Sequence, residues 1–181
     1  LPDLAVTNYS DDTLQTWENN TTLAMPVSFS SNGSVGTVIK PKPVKPGSVG
    51  GSGGKDESLL VGGQTEGGAH SADLLRRGLG DVDVFATGGE VVSLAVLDID
   101  GNGLDDVAVT LASGDGLSVV MNRNGTGFQS PTLDASGLAG GDLHVGDLDG
   151  DSDEDLIFIE IDDVLGTNSV VAMRNDSSVL S

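Results

Sequence analysis

Residues 98–106 read Asp98-Ile99-Asp100-Gly101-Asn102-Gly103-Leu104-Asp105-Asp106, and residues 147–155 repeat the pattern as Asp147-Leu148-Asp149-Gly150-Asp151-Ser152-Asp153-Glu154-Asp155. In both stretches, side chains with oxygen atoms alternate around a glycine at the fourth position. Calcium takes about six to eight oxygen ligands at roughly 2.3–2.6 Å, and a short loop can supply most of them. The repeated pattern therefore predicts two calcium-binding loops.

The predicted ligands occupy the same positions in both loops. Positions 1, 3, 5 and 9 would supply side-chain oxygens, and position 7 a backbone carbonyl. The glycine at position 4 permits the turn, because a left-handed backbone costs glycine nothing. The predicted ligands are Asp98, Asp100, Asn102, Leu104 (backbone) and Asp106 in the first loop, and Asp147, Asp149, Asp151, Asp153 (backbone) and Asp155 in the second.

An EF-hand is an alternative interpretation of these loops, and the residues exclude it. An EF-hand requires a bidentate Glu at position 12 and a helix on each side. Position 12 is Val109 in the first loop and Phe158 in the second, and neither side chain binds a metal. The apolar, β-branched runs that flank the loops, among them 91–97 and 155–161, predict short strands instead. The unit is therefore strand, calcium loop, strand.

The spacing of further matches predicts an internal repeat. The ninth-position aspartates are 49 residues apart, and Leu4-Ala5-Val6-Thr7 resembles Val107-Ala108-Val109-Thr110. Asp3 is then the remnant of an earlier loop and a candidate ligand, and a degenerate copy is expected at 56–61. A further strand is expected beyond each of these points, at 14–17, 72–75, 117–121 and 169–173. We count four repeats, the first and last incomplete.

Four short strands in about 50 residues is the period of a β-propeller blade. The run 98–109 resembles the hallmark of the FG-GAP/VCBS repeats of integrin-α-like β-propellers, and residues 85–89 resemble the segment that leads into the next blade. The resemblance implies blades of four antiparallel strands, with calcium in the hairpin between strands 1 and 2. The predicted fold is all-β, a partial propeller of two whole and two incomplete blades.

The predicted organisation is a single propeller-type domain, or a fragment of one, over residues 1–181. Its parts are a partial blade at 1–30, a Pro/Lys and Gly/Ser-rich insertion at 31–55, the remainder of a degenerate blade at 56–90, a blade with a calcium loop at 91–134 and an incomplete blade with a calcium loop at 141–181. Two explanations of the incomplete blades stay open. The sequence is a piece of a longer polypeptide, or another subunit completes the blades by strand donation.

The composition agrees with this fold and excludes some classes of binding partner. The chain has 27 Gly and 3% aromatic residues, which is typical of a turn-rich β protein, and its lack of Cys rules out disulfides. A net charge of −20 argues against nucleic acid and anionic membranes as partners, since both would be repelled. No run approaches the roughly 18 apolar residues of a membrane span. The expected partners are a protein or copies of this chain, with glycans as a further class.

Two features favour an extracellular or cell-surface location. Calcium loops without the position-12 Glu are expected to be weak, and weak sites fill at millimolar calcium outside the cell. The chain also has more Asn-x-Ser/Thr sequons than chance predicts. Because Asn is common in turns, the alternative reading of these sequons is turn chemistry. The candidate glycosylation sites are Asn8, Asn19, Asn20, Asn32, Asn124 and Asn175.

The segment 31–55 differs in composition from the rest of the chain. It contains all four lysines, a run of alternating prolines at 41–46 and a Gly/Ser tract at 47–54. Alternating prolines exclude a central strand and predict an extended edge strand or an exposed loop. The functional interpretation is a basic docking arm for an acidic partner. The alternative is a solvated insertion.

The sequence predicts no enzyme. His70 and His144 are isolated, with His144 expected to be packed or hydrogen-bonded, and no Ser lies in a nucleophile elbow. The first functional hypothesis is a calcium-stabilised extracellular binding or adhesion module. The second is a structural subunit of a surface layer, sheath or filament, and the third is a lectin-like propeller. Only Trp17 and Tyr9 could stack on sugars besides Phe, which places the lectin last.

Overall fold

The computed structural model describes residues 4–20, 29–36, 44–47, 58–64, 70–75, 82–112, 116–122, 130, 132–134 and 137–176. The regular elements in these ranges are all β-strands, as the sequence predicts. The strands are β1 (Leu4–Asn8), β2 (Thr13–Asn19), β3 (Phe29–Gly36), β4 (Val44–Gly47), β5 (Ser58–Gln64), β6 (His70–Leu75), β7 (Val82–Ala86), β8 (Val91–Leu97), β9 (Asp106–Leu111), β10 (Leu117–Val120), β11 (Thr132–Asp134), β12 (Ala139–Gly146), β13 (Asp155–Asp162) and β14 (Thr167–Met173).

The strands form four small antiparallel sheets, each a meander of strands consecutive in the chain. The first sheet is β1-β2-β3, the second β4-β5-β6-β7, the third β8-β9-β10-β11 and the fourth β12-β13-β14. The four further strands expected from the repeat are confirmed as β2, β6, β10 and β14. Within the described ranges, no helix has the length and apolar character needed to cross a membrane.

The sheets pack in series, and each contact repeats the one before. In the third and fourth sheets, the second strand of one sheet (β9) contacts the first strand of the next (β12). In the same way, β5, the second strand of the second sheet, contacts β8, the first strand of the third sheet. β1 contacts β4, the first strand of the second sheet, and so takes the place of a second strand in its own sheet. First strands also contact one another, β4 with β8 and β8 with β12. One packing rule therefore generates the arrangement of all four sheets.

Two clusters of buried side chains lie on the two faces of the third sheet. One cluster of buried side chains comprises Val91, Leu94, Val107, Val109, Leu111 and Val120. The other lies between the third and fourth sheets and comprises Ala95, Leu97, Ala108, Leu117, Leu143, Leu156 and Phe158. Each fully buried Leu or Phe contributes about 1.5–3 kcal/mol. Because β9 contributes to both clusters, all six of its residues are buried.

The third and fourth sheets approach closely at a glycine pair on β12. A Cβ atom on Gly140 would overlap the Gly116 carbonyl oxygen and lie 2.6 Å from Thr110 Cβ. The Thr110 hydroxyl donates a hydrogen bond to the Gly141 carbonyl at 2.6 Å. This contact fixes the fourth sheet against the third, and with it the relative positions of the two acidic loops.

Part of the segment predicted as an insertion lies in strands. Residues 31–36 belong to β3, and 44–47 form β4, the first strand of the second sheet. β4 contains Pro46 and is at the edge of its sheet, as the alternating prolines require. Lys40, Lys42, Lys55 and the tract 48–54 are outside the described residues, as is the degenerate loop before β5.

Candidate metal centre

The two acidic loops connect equivalent strands. Residues 98–105 join β8 to β9, and residues 147–154 join β12 to β13, so each loop closes the hairpin between the first two strands of its sheet. This is the strand–loop–strand unit that the sequence predicts. The ninth-position aspartates, Asp106 and Asp155, are the first residues of β9 and β13.

The ninth-position aspartates hold the ends of each hairpin together. Asp106 Oδ2 accepts a hydrogen bond from the Ile99 N–H at 3.0 Å, and its Oδ1 accepts one from the Asn122 N–H at 2.6 Å. In the second hairpin, Asp155 Oδ2 accepts from the Leu148 N–H at 2.7 Å, and Oδ1 accepts from the Asn175 N–H at 2.8 Å. Both carboxylates are 0% exposed. Each therefore joins the start of its loop to the segment after the third strand.

The first-position aspartates fold each loop back on itself. Asp98 accepts hydrogen bonds from the Asn102 N–H at 3.0 Å and the Gly103 N–H at 2.7 Å. Asp147 accepts from the Gly150 N–H at 2.7 Å and the Ser152 N–H at 3.1 Å. These charged acceptors satisfy backbone donors that the tight turn leaves outside any strand ladder.

The remaining predicted side-chain ligands make local bonds along the loops. Asp100 accepts from the Asn102 N–H at 3.3 Å, and Asn102 Oδ1 accepts from the Leu104 N–H at 2.8 Å. In the second loop, Asp149 accepts from the Asp151 N–H at 3.2 Å, and Asp151 accepts from the Asp153 N–H at 2.9 Å. These bonds point the side chains at positions 1, 3 and 5 toward the inside of the turn.

Each loop brings three carboxylates together. One oxygen from each of Asp98, Asp100 and Asp106 lies within 4.8 Å of the other two. In the second loop, the corresponding group is Asp147, Asp149 and Asp151, and Asp155 does not join it. Asp106 is buried and Asp98 half-buried, whereas the three aspartates of the second group are exposed. The first group is the more enclosed of the two.

The charge around these groups differs as well. Burial raises the pKa of Asp106, the nearby Asp100 and Asp98 charges add to the rise, and two backbone N–H groups oppose it. The pKa of Asp155 is lowered, chiefly by the N–H of Asn175 and then by that of Leu148. Arg174 forms an ion pair with Asp149 at 3.0 Å and another with Asp176 at 2.9 Å. The guanidinium group of Arg174 therefore places a positive charge beside the second loop.

The donor chemistry of the first group fits a hard cation. All of its ligand atoms are oxygens, which suit calcium, magnesium or manganese better than soft metals. Among the described residues, Asp98, Asp100 and Asp106 have backbone N–H partners and no ion-paired basic side chain. Three like charges this close repel one another, and a bound cation would remove that cost. Leu104 and Asp153, the predicted backbone ligands, each donate their N–H to the side chain at position 5 of their loop.

The sequence analysis missed two asparagines that complete the hairpins. Asn122 is 2% exposed, and its side-chain amide donates to the Asp105 carbonyl at 3.1 Å. Asn175 donates from its side chain to the Asp98 carbonyl at 3.3 Å and so links the fourth sheet to the first loop. The signal in the sequence is an Asn just after each third strand; the sequence analysis treats Asn175 only as a sequon or a turn residue and does not single out Asn122.

The candidate glycosylation sites lie in different settings. Asn20 is exposed, whereas Asn8, Asn19 and Asn175 are half-buried. The Asn8 side chain donates to Asp11 at 2.8 Å and accepts from the Ser10 N–H at 3.1 Å. Asn32 is in β3, and Asn124 and Asp3 are outside the described residues. Of the two expectations for His144, packing is wrong, because β12 exposes the side chain, and a hydrogen bond stays a prediction.

Comparison with known proteins adds no family to this picture. No protein-family model matches the chain, and no curated protein matches its sequence.

Proposed function

We propose that this chain is a calcium-stabilised binding or adhesion module that acts outside the cell and performs no catalysis. The proposal depends mainly on one observation: two equivalent hairpins each gather three carboxylate oxygens within 4.8 Å of one another. Calcium, supplied at millimolar concentration outside the cell, would bind between Asp98, Asp100 and Asp106 and between Asp147, Asp149 and Asp151. Its contribution would be to neutralise the carboxylates and stabilise each hairpin.

The FG-GAP/VCBS-type propeller is part of this proposal. Three observations support it: the loops lie in the hairpin between strands 1 and 2, complete sheets have four strands, and successive sheets pack by one rule. In such an array the loops hold the scaffold, and binding surfaces lie on the sheets and on the remaining loops. A protein partner is the partner class that these surfaces suit best.

Calcium binding is tested by titrating the chelator-treated chain with CaCl2 in a calorimeter and by measuring its melting temperature. We expect two sites and a rise in melting temperature, because a ligand at about 100 times its Kd adds about 2.7 kcal/mol per site. The variants Asp98→Asn and Asp147→Asn should each remove one site. Asp163→Asn, at an exposed position outside both loops, is the control for the loss of one charge. No heat and an unchanged melting temperature would refute the proposal.

A structural subunit of a surface layer, sheath or filament is the second candidate function. It is favoured by exposed apolar side chains on two edge strands: Leu4 (46% exposed) and Val6 (43%) on β1, and Val170 (75%) on β14. Sedimentation analysis separates the two functions, because an adhesion module for another protein stays monomeric by itself.

A lectin-like role is the lowest of the three candidates. Tyr9 is 52% exposed and Trp17 is half-buried, so the first sheet offers little aromatic surface for stacking on a sugar. A glycan array with the calcium-loaded chain tests this role, and specific binding there would place it above the other two.

A further inference from the structure

The first acidic loop contains an Asn-Gly pair, Asn102-Gly103, and both residues are exposed. In such a pair the backbone nitrogen of the glycine can attack the side-chain amide of the asparagine, because glycine has no Cβ to obstruct the approach. The attack closes a five-membered succinimide ring, which water opens to aspartate or isoaspartate. The exposure of the pair gives water access to the ring.

The chain has two other Asn-Gly pairs, and the pair in the loop differs from both. The pairs 32–33 and 124–125 each begin a sequon, so a glycan on the asparagine would block the reactive amide. Asn102 is followed by Gly103 and Leu104 and is not in a sequon. Asn32 is in β3, which pairs with β2, whereas Asn102 is in a loop between two strands. Asn102 is therefore open to this reaction whether or not the chain is glycosylated.

Two hydrogen bonds orient the side-chain amide of Asn102. Its Oδ1 accepts from the Leu104 N–H at 2.8 Å, and its Nδ2 donates to the Asn122 carbonyl at 3.4 Å. When a nucleophile adds to the amide carbon, negative charge develops on Oδ1, and a fixed N–H donor stabilises that charge. The Leu104 N–H is such a donor. The amide nitrogen, which leaves in the reaction, is held on the other side by Asn122.

The attacking nitrogen has a proton acceptor beside it. The Gly103 N–H donates to Asp98 Oδ2 at 2.7 Å. A peptide nitrogen becomes a good nucleophile only when it loses its proton, and a carboxylate at hydrogen-bond distance can accept that proton as a general base. The other oxygen of Asp98 accepts from the Asn102 N–H at 3.0 Å, so both carboxylate oxygens are held in place. The loop therefore brings together a nucleophile, a base and a donor for the developing charge.

We propose that Asn102 is a site of self-catalysed deamidation, promoted by Asp98 and by the Leu104 N–H. The Gly103 nitrogen gives its proton to Asp98 and forms a bond to Asn102 Cγ. The bond from Cγ to Nδ2 then breaks, and ammonia leaves with the proton that Asp98 accepted. Water adds to either carbonyl of the succinimide and opens the ring. The net reaction consumes one water and releases one ammonia, with no oxidant or reductant.

The second loop shows that an aspartate fits at this position. Asp151 corresponds to Asn102, and its Oδ1 accepts from the Asp153 N–H at 2.9 Å in the same way. Deamidation to aspartate would give the first loop the carboxylates at positions 1, 3, 5 and 9 that the second loop already has. Isoaspartate would instead lengthen the backbone by a methylene group and displace the carboxylate. The effect of either product on calcium binding rests on the proposed function, whereas the deamidation itself does not.

The test is peptide mapping by mass spectrometry of the full chain, incubated at neutral pH in chelator so that calcium has no part in the result. Trypsin releases a peptide that ends at Arg123 and contains Asn102, and fragmentation assigns the gain in mass to a residue. We expect Asn102 to deamidate faster in the folded chain than in the chain unfolded by guanidinium chloride, where the loop contacts are absent. A rate equal to or below that of the unfolded chain would overturn the proposal.

Two charge-matched variants identify the base. Asp98→Asn should slow the deamidation of Asn102 at least about tenfold, because a positioned general base contributes roughly 10²–10⁴-fold. Asp105→Asn removes the same charge from a residue of the loop that is not a predicted ligand, and it should leave the rate nearly unchanged. Circular dichroism reports whether each variant is folded. Equal rates in the two folded variants would also overturn the proposal. Neither outcome bears on calcium binding, which calorimetry tests separately, so the two proposals fail separately.

Discussion

The hairpin at residues 98–106 and the hairpin at residues 147–155 share one scheme of backbone hydrogen bonds in different electrostatic surroundings. In both, the ninth-position carboxylate joins the loop to the segment after the third strand. The first loop has four acidic residues and the second has six. Met121 precedes Asn122 in the first hairpin, whereas Arg174 occupies the matching position before Asn175 in the second.

The comparison separates two roles of the aspartates. The hydrogen bonds of the ninth-position carboxylates form in the loop with four acidic residues and in the loop with six. Their role is therefore structural. The features that differ concern the cation: the first group includes the buried Asp106, and the second is exposed and has Arg174 beside it. We therefore expect the first loop to bind calcium more tightly, and the second to depend more on its own hydrogen bonds.

The largest expected difference is between the two ninth-position aspartates in chelator. Asp155→Asn should cost about 2–3 kcal/mol, because it removes a charged acceptor shared by two N–H groups. Asp106→Asn should cost less, because burial and the nearby Asp100 and Asp98 charges disfavour the Asp106 charge and raise its pKa, whereas the nearby Arg174 charge helps to lower the pKa of Asp155. Urea unfolding measures both free energies, and Glu154→Gln is the charge-matched control at an exposed neighbour. Equal costs, or the reverse order, would contradict this assignment.

Substitutions at the sixth position of the loops should give the next largest change in stability. Gly103 and Ser152 both have left-handed backbones, with φ of 81° and 80°. A left-handed conformation costs a residue with a Cβ roughly 1–2 kcal/mol. No atom lies within 4 Å of a Cβ on Gly103, so Gly103→Ser should destabilise by conformation alone. Ser152→Gly should stabilise by about 0.5–1 kcal/mol, because the flexibility of glycine in the unfolded chain offsets part of the gain.

Thermal unfolding in chelator measures this pair of reciprocal substitutions. The double variant Gly103→Ser/Ser152→Gly exchanges the two residues and keeps the composition unchanged. If both single substitutions shift the melting temperature in the same direction, the backbone strain at Ser152 is not the cause.

The sequence was sufficient for the parts of this comparison that depend on local pattern. Alternating aspartates around Gly101 and Gly150 predicted the turns, and β-branched runs predicted β9 and β13, because both signals lie within a few residues. The Asn122 and Asn175 contacts were not predictable, since the N–H donor is 16 or 20 residues from its aspartate acceptor. The 75% exposure of Val170 was not predictable either, because local pattern does not show that β14, unlike β10, lies at the edge of its sheet.

Arg174 provides a smaller test of the charge difference. Its ion pair with Asp149 is partly exposed, so Arg174→Gln should change stability in chelator by less than about 1 kcal/mol. Calcium binding to the second loop should tighten, by about tenfold at most, because Asp149 no longer has a competing cation. Calorimetric titration measures this affinity. Arg174→Lys is the control that keeps the charge, and equal affinities for the two variants would refute competition by Arg174.

Acid unfolding of the calcium-free chain gives the smallest effect, with opposite signs in the two hairpins. Asp155 has a lowered pKa, so its contribution to stability is present above its unfolded pKa of about 3.9 and disappears as pH falls through the folded pKa. Asp106 has a raised pKa, so its charge is unfavourable at neutral pH and this penalty decreases as pH falls toward about 4. Melting temperatures from pH 7 to pH 2 for the unmodified chain, Asp106→Asn and Asp155→Asn measure both. The deficit of Asp106→Asn should grow between pH 7 and pH 4, and the deficit of Asp155→Asn should shrink below pH 4. Parallel curves would mean that the two carboxylates have equivalent surroundings in the absence of calcium.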